Sequence, residues 1–153
     1  MKQKSIFQVA LTIMGYCFLS MFIFMPQASY AQESLTLASN TFIFNPKTLS
    51  YKAINSHGKV IKSGRASGGK RGRRTPVGTY YVQRKHGAGC YSRRYRARMP
   101  YCSFFKPLYA VHGYKHVPNY NASRGCIRLR IPDAKWLHNN FFRIGTKVIV
   151  KPY

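Results

Sequence analysis

Ser123-Arg124-Gly125-Cys126-Ile127-Arg128-Leu129 decides how the chain is read. Alternation along it puts Cys126, Arg128 and Arg130 on one face of a strand, and Ile127, Leu129 and Ile131 on the other. One face is chemical and basic; the other is core. A glycine before the cysteine lets the backbone bend, so that the N–H groups of Arg124, Gly125 and Cys126 can converge on one oxygen. Such donors stabilise a tetrahedral oxyanion. Upstream, Leu108-Tyr109-Ala110-Val111 reads as an apolar strand that ends in His112-Gly113. A thiolate, not a thiol, is the nucleophile, so Cys126 needs a base, and His112 is the candidate. Arg124 and Arg128 add positive potential, and with no acid nearby the partner that orients His112 is a backbone carbonyl, that of Gly113. These residue types suit acyl transfer through a thioester. The plain alternative is a structural cysteine beside a satisfied histidine.

Outward from this stretch the chain reads as short strands. Thr41 to Phe44 is one, stopped by Asn45-Pro46. Leu49 to Ile54 and Lys59 to Lys62 flank the turn Asn55-Ser56-His57-Gly58 as a hairpin. Ser63 to Arg74 reads as a mobile basic loop, and Thr79 to Gln83 as a strand. His86 to Tyr101 is a second basic loop, with four arginines among tyrosines. Ser103 to Val111 is a strand broken by Pro107, and Gly125 to Ile131 the strand of the opening stretch. Pro132-Asp133 starts a short helix to about Phe141, because Pro suits a first turn and Asp the positive helix end. Thr146 to Val150 is a last strand, apolar on both faces and so central. The sum is a mainly β domain, a sandwich or curled sheet, with one short helix near the C-terminus.

Composition limits the chemistry. The 153 residues hold 26 Lys and Arg against two acids, Glu33 and Asp133, a formal charge of +24. Paired-carboxylate catalysis and carboxylate metal sites are excluded on that count. So strong an excess expects polyanionic surroundings. Lys2 and Lys4 precede an apolar run, Ile6 to Phe24, and Ala28-Ser29-Tyr30-Ala31 places small residues for cleavage after Ala31. Residues 1–31 therefore read as a secretory signal peptide and 32–153 as the functional domain, with no stable membrane span once the signal is gone; an uncleaved anchor is the alternative. Losing Lys2 and Lys4 takes the charge from +24 to +22. Export points away from nucleic acid, and towards anionic polymers of the cell envelope or periplasm, as the partner.

Three cysteines remain beyond the signal: Cys90, Cys102 and Cys126. Cys90 and Cys102 share one loop and can close it as a disulfide, leaving Cys126 free; three independent thiols are the alternative. A zinc reading of Cys90, Cys102, His112 and His116 fails because the first gap is far too long for a finger knuckle. No metal and no cofactor is expected. His116 is read as a loop residue at the mouth of the cleft, near substrate.

His112-Gly113 followed by Ser123-x-Gly125-Cys126-Ile127-Arg128-Leu129 resembles the signature of the L,D-transpeptidases of the YkuD type. Thr75-Pro76-Val77-Gly78-Thr79-Tyr80 and the C-terminal order of strand, helix and strand resemble it too, so the likeness spans roughly Thr36 to Lys151. The resemblance implies the fold of that catalytic domain and an enzyme acting on peptidoglycan peptide stems, after the L-centre of the third residue. It implies Cys126 as nucleophile, His112 as proton donor and acceptor, and Gly113 as the carbonyl that orients His112. It further implies the N–H groups of Arg124, Gly125 and Cys126 as oxyanion hole, with Ser123 and Arg128 holding substrate polar groups. The family often has His where this chain has Arg124, a departure a backbone role tolerates. The acyl acceptor stays open between a second stem, water and a protein amine. The rival from another class is a non-catalytic polycationic protein that binds the envelope.

Overall fold

The computed structural model describes residues 39–153; the expected signal segment lies outside them. In chain order the strands are β1 (Thr41–Asn45), β2 (Ser50–Ile54), β3 (Val60–Ser67), β4 (Gly78–Tyr81), β5 (Arg84–His86), β6 (Tyr91–Ser92), β7 (Ala97–Arg98), β8 (Cys102–Lys106), β9 (Tyr109–Tyr114) and β10 (Ile127–Arg130). Helix α1 (Ile131–Trp136) follows β10 directly, runs into a π-helical turn (Leu137–Phe141), and leads to β11 (Lys147–Val150). The protein is a mainly β curled sheet with one short helix.

Nine strands form one sheet in the order β4-β11-β1-β2-β3-β10-β9-β8-β5. Its two edges, β4 and β5, are separated in sequence by Val82 and Gln83 alone. Three Cα–Cα steps from Tyr81 to Arg84 reach about 10 Å at most, so the edges must come together and the sheet must curl. The linker is bonded to both sides: Val82 N–H donates to Thr146 O at 2.9 Å, and Gln83 N–H to Phe104 O at 2.8 Å. The long strand β3 carries the bend. It pairs with β2 up to Arg65, while Ala66 and Ser67 pair with Leu129 and Arg128 of β10.

The inside of the curl is the core. Alternation buries Phe42 and Phe44 from β1, Tyr51 and Ala53 from β2, and Ile127 and Leu129 from β10. Leu137, Phe141 and Phe142 of the helical segment fill the remaining space, and the Phe42 ring lies 5.3 Å from that of Phe142. Asp133, the only acid among the described residues, is held by Lys62 at 3.2 Å.

Three expectations are corrected. Ser63 to Arg74 is not a free basic loop: Ser63–Ser67 is the end of β3, and the following turn is anchored. Lys70 N–H donates to Ser123 O, Ser123 N–H to Gly68 O, and Gly69 N–H to the Thr75 hydroxyl. The loop from His86 to Tyr101 contains the antiparallel pair β6–β7. Strand β11 lies between β4 and β1, as an inner strand should, but its faces differ: Val148 and Val150 are buried while Lys147 and Ile149 are half-exposed. A strand near one edge of a curled sheet has its outer face open.

Gly69 forms a parallel bridge with Ser123, and a Cβ there would lie 1.9 Å from the Arg73 carbonyl oxygen. Gly69→Ala is expected to cost about 2–3 kcal/mol in urea unfolding, as overpacking against backbone does. An unchanged unfolding midpoint would mean that the turn is not the rigid support described here.

Candidate active site

The parallel pairing of β9 and β10 sets the site. Arg128 stands opposite His112 and Ile127 opposite Val111, so the face carrying Cys126 and Arg128 continues across to Ala110 and His112. A parallel pair needs a crossover connection, and residues 115–126 supply it, ending in Ser123-Arg124-Gly125-Cys126. Two side chains, one hydroxyl and one amide, fix that crossover through three hydrogen bonds. The Ser67 hydroxyl donates to Tyr120 O and accepts from Ala122 N–H, and Asn121 Oδ1 accepts from Gly68 N–H.

Gly125 turns the chain with φ +124°, and a Cβ there would meet the Tyr109 ring at 2.6 Å. Conformation and space both demand glycine at this position. The Ser123 hydroxyl ties the turn, donating to Cys126 O at 2.5 Å and accepting from Gly125 N–H at 3.0 Å. This changes the donor set expected for an oxyanion. Gly125 N–H is already spent on Ser123, whereas the N–H groups of Arg124 and Cys126 donate to no partner among the described residues. Ser123 is thus placed as the tie of the turn, with its side chain committed to backbone.

His112 is 3 % exposed, and its Nδ1 lies 2.8 Å from Gly113 O. A carbonyl only accepts, so Nδ1 carries the proton and donates, which leaves the Nε2 lone pair free. Burial, opposed by the Gly113 hydrogen bond and helped by Arg128, lowers the His112 pKa to about 4. The ring is therefore neutral, with a vacant acceptor nitrogen, at neutral pH. Gly113 itself has no room for a side chain: a Cβ would lie 3.1 Å from Ile131 Cα, and its N–H donates to Pro100 O. Burial pushes the Cys126 thiol up, against the opposing pull of the Ala110 backbone and of Arg128. The resting pair is thus a neutral thiol and a neutral imidazole.

Both groups line one cleft of about 460 Å³. Arg128 lines it too, with its guanidinium 4.0 Å over the Tyr114 ring and a buried Nε that lacks a partner. A second space of about 190 Å³ reaches Cys126 from the side of Arg84 and Leu108. Ser92, Tyr95 and Met99 border both spaces, so the β6–β7 hairpin straddles the cysteine. The Cys90–Cys102 disulfide closes the base of that hairpin, and Tyr95 lies 4.9 Å under the Arg124 guanidinium. Disulfide sulfurs cannot ligate zinc, and among the described residues no three His, Cys, Asp or Glu side chains gather.

His116, expected at the mouth of the cleft, is exposed and is not among the residues that line either space. The expected set did not include the residues of the β6–β7 hairpin that border the cleft, nor Tyr114 and Lys70. Tyr114 meets the His112 ring edge to face at 6.0 Å, and the alternation of β9 from His112 could have located it. Lys70 arrives through the bridge between Gly69 and Ser123, for which the sequence carries no local signal.

Comparison with known proteins agrees with this geometry. The family model of the L,D-transpeptidase catalytic domain, YkuD, matches residues 40–150. YciB of Bacillus subtilis (strain 168), which carries a provisional L,D-transpeptidase name, is 34 % identical over 94 residues, half of this chain and 46 % of its own length. The solved L,D-transpeptidase of Xylanimonas cellulosilytica superposes with a TM-score of 0.65 at 27 % identity, over 76 % of this chain and 62 % of that one. An L,D-transpeptidase of Stackebrandtia nassauensis shares the fold, with a TM-score of 0.69 at 21 % identity over 82 % and 62 % of the two chains. The chain thus spans about half the length of its curated relative and under two thirds of these structures. With the matched region covering nearly all of the described sheet, the chain belongs to the L,D-transpeptidase (YkuD) catalytic-domain family of enzymes.

Proposed function

We propose that this protein is an exported cysteine acyltransferase that carries out L,D-transpeptidation on peptidoglycan stems. The observation that carries the reading is His112: its Nδ1–H is locked on the Gly113 carbonyl, so its free Nε2 serves the cleft that contains Cys126. As the Cys126 sulfur attacks the carbonyl carbon of the third stem residue, its proton passes to Nε2. The oxyanion takes hydrogen bonds from the N–H groups of Arg124 and Cys126. When the tetrahedral intermediate collapses, the C–N bond breaks and the imidazolium returns the proton to the leaving amine. A thioester remains on Cys126. The amine of a second stem then attacks it, gives its proton to His112 and releases the thiol.

The two spaces that meet at Cys126 support an amine acceptor, since donor and acceptor can approach from opposite sides of the hairpin. Export rests on the signal-like segment 1–31 and places residues 32–153 in the cell envelope. The high positive charge favours retention on anionic envelope polymers there, so binding to sacculi is expected to weaken as salt is raised, and salt-insensitive binding would contradict it.

Incubation of the mature chain with purified sacculi, followed by mass spectrometry of the muropeptides, tests the reading. New dimers joined through the third residue are expected, and none with Cys126→Ala. Shortened stems that depend on Cys126 would move the acceptor to water, and products unchanged by either protein would favour the binding-protein rival. The histidine makes a separate prediction. Between pH 6.5 and about 4 the unfolded chain holds more protons at this site than the folded one. Stability therefore falls as pH drops through that window and is fully present above it. Its contribution across the whole window is on the order of 3 kcal/mol. Urea unfolding at pH 4.5 and 7 is expected to show this loss in the wild type and a smaller one in His112→Gln; equal losses would contradict a buried neutral imidazole.

A further inference from the structure

The cleft beside Cys126 is bordered by five cationic side chains, Lys70, Arg96, Arg98, Arg124 and Arg128, and by no acid. The only described carboxylate, Asp133, is held by Lys62. No ion pair within the described chain therefore offsets these charges, and the Arg128 Nε is buried without any partner. Two of the five are held in place by aromatic faces: Arg128 over Tyr114 at 4.0 Å and Arg124 over Tyr95 at 4.9 Å. Arg96 and Arg98 are carried by the β6–β7 hairpin, whose base is closed by the disulfide. Lys70 is placed by its backbone bond to Ser123 O at 3.0 Å. A stacked guanidinium gives up little rotamer freedom when it binds a carboxylate, and offers it a bidentate face.

We infer that the cleft selects donor peptides by their free internal carboxylates and discriminates against the same stems in amidated form. This rests on the transpeptidase reading for the identity of the peptide, but not for the preference in charge. A carboxylate entering the cleft gains charge-assisted hydrogen bonds that no group of the protein supplies. A carboxamide of the same shape lacks the charge and turns one acceptor oxygen into an N–H₂ donor facing cationic side chains. Discrimination therefore comes from both a lost attraction and an added mismatch.

The test uses Cys126→Ala, which binds without turnover, and two stem tetrapeptides of one sequence, with internal carboxylates free or amidated. Calorimetry at low salt is expected to give about tenfold tighter binding of the free-carboxylate peptide, the effect of losing one charged hydrogen bond. Adding Arg96→Gln and Arg98→Gln is expected to bring the ratio below about threefold. Adding Lys52→Gln and Lys59→Gln instead, an equal charge change on exposed residues that do not border the cleft, is expected to leave the ratio unaltered. Equal affinity for the two peptides, or tighter binding of the amidated one, overturns the inference. So does a ratio that falls equally in both double variants, since the preference would then belong to the overall charge. The same peptides given to the wild type separate this from the chemistry: a binding preference without acylation of Cys126 upholds the inference while the transpeptidase reading fails.

Discussion

The site depends on the parallel register of β9 and β10. Main-chain pairing of Arg128 with His112 places an imidazole, a cationic side chain and the cysteine strand on one face. A slip of one residue would turn Cys126 and Arg128 into the core and bring Ile127 and Leu129 to the cleft. The register is held because Ile127 and Leu129 are fully buried, and because the crossover is stitched to the end of β3 through Ser67, Gly68 and Lys70. The curl in turn lets one strand, β3, support both the hydrophobic interior and the turn that precedes Cys126.

On this frame the chemistry needs few groups. One carbonyl, that of Gly113, sets the tautomer of His112, and burial keeps the ring neutral. The Ser123 hydroxyl does a comparable task for the loop that carries Cys126, spending both its donor and an acceptor position on backbone. Among the described residues the one acid, Asp133, is held by Lys62, and His112 is oriented by a carbonyl instead. The same shortage of acids leaves the arginines around the cleft without internal partners, so that wall is open to an anionic ligand.

The opening stretch was legible because strand alternation and the glycine-cysteine step are local properties. Cys126, Arg128 and the buried Ile127 and Leu129 fall where a period of two puts them. The end of β3 was not legible. Ser63-Gly64-Arg65-Ala66-Ser67 has the composition of a turn, and only its pairing with β2 and β10 makes it a strand. Lys70 was missed for the same reason, since a bridge between Gly69 and Ser123 joins residues far apart in sequence. The tyrosine- and arginine-rich segment read as loop because β6 and β7 are two residues each, too short for any pattern to register.

Transpeptidation at this site requires a thioester on Cys126, formed with the help of His112. Intact-mass spectrometry of the mature chain mixed with a stem tetrapeptide reads that thioester itself. The expected product is an adduct equal to the first three residues of the stem, on a peptide containing Cys126, that vanishes in Cys126→Ala and forms far more slowly in His112→Gln. An adduct formed at the same rate in His112→Gln, or one that persists in Cys126→Ala, would contradict it.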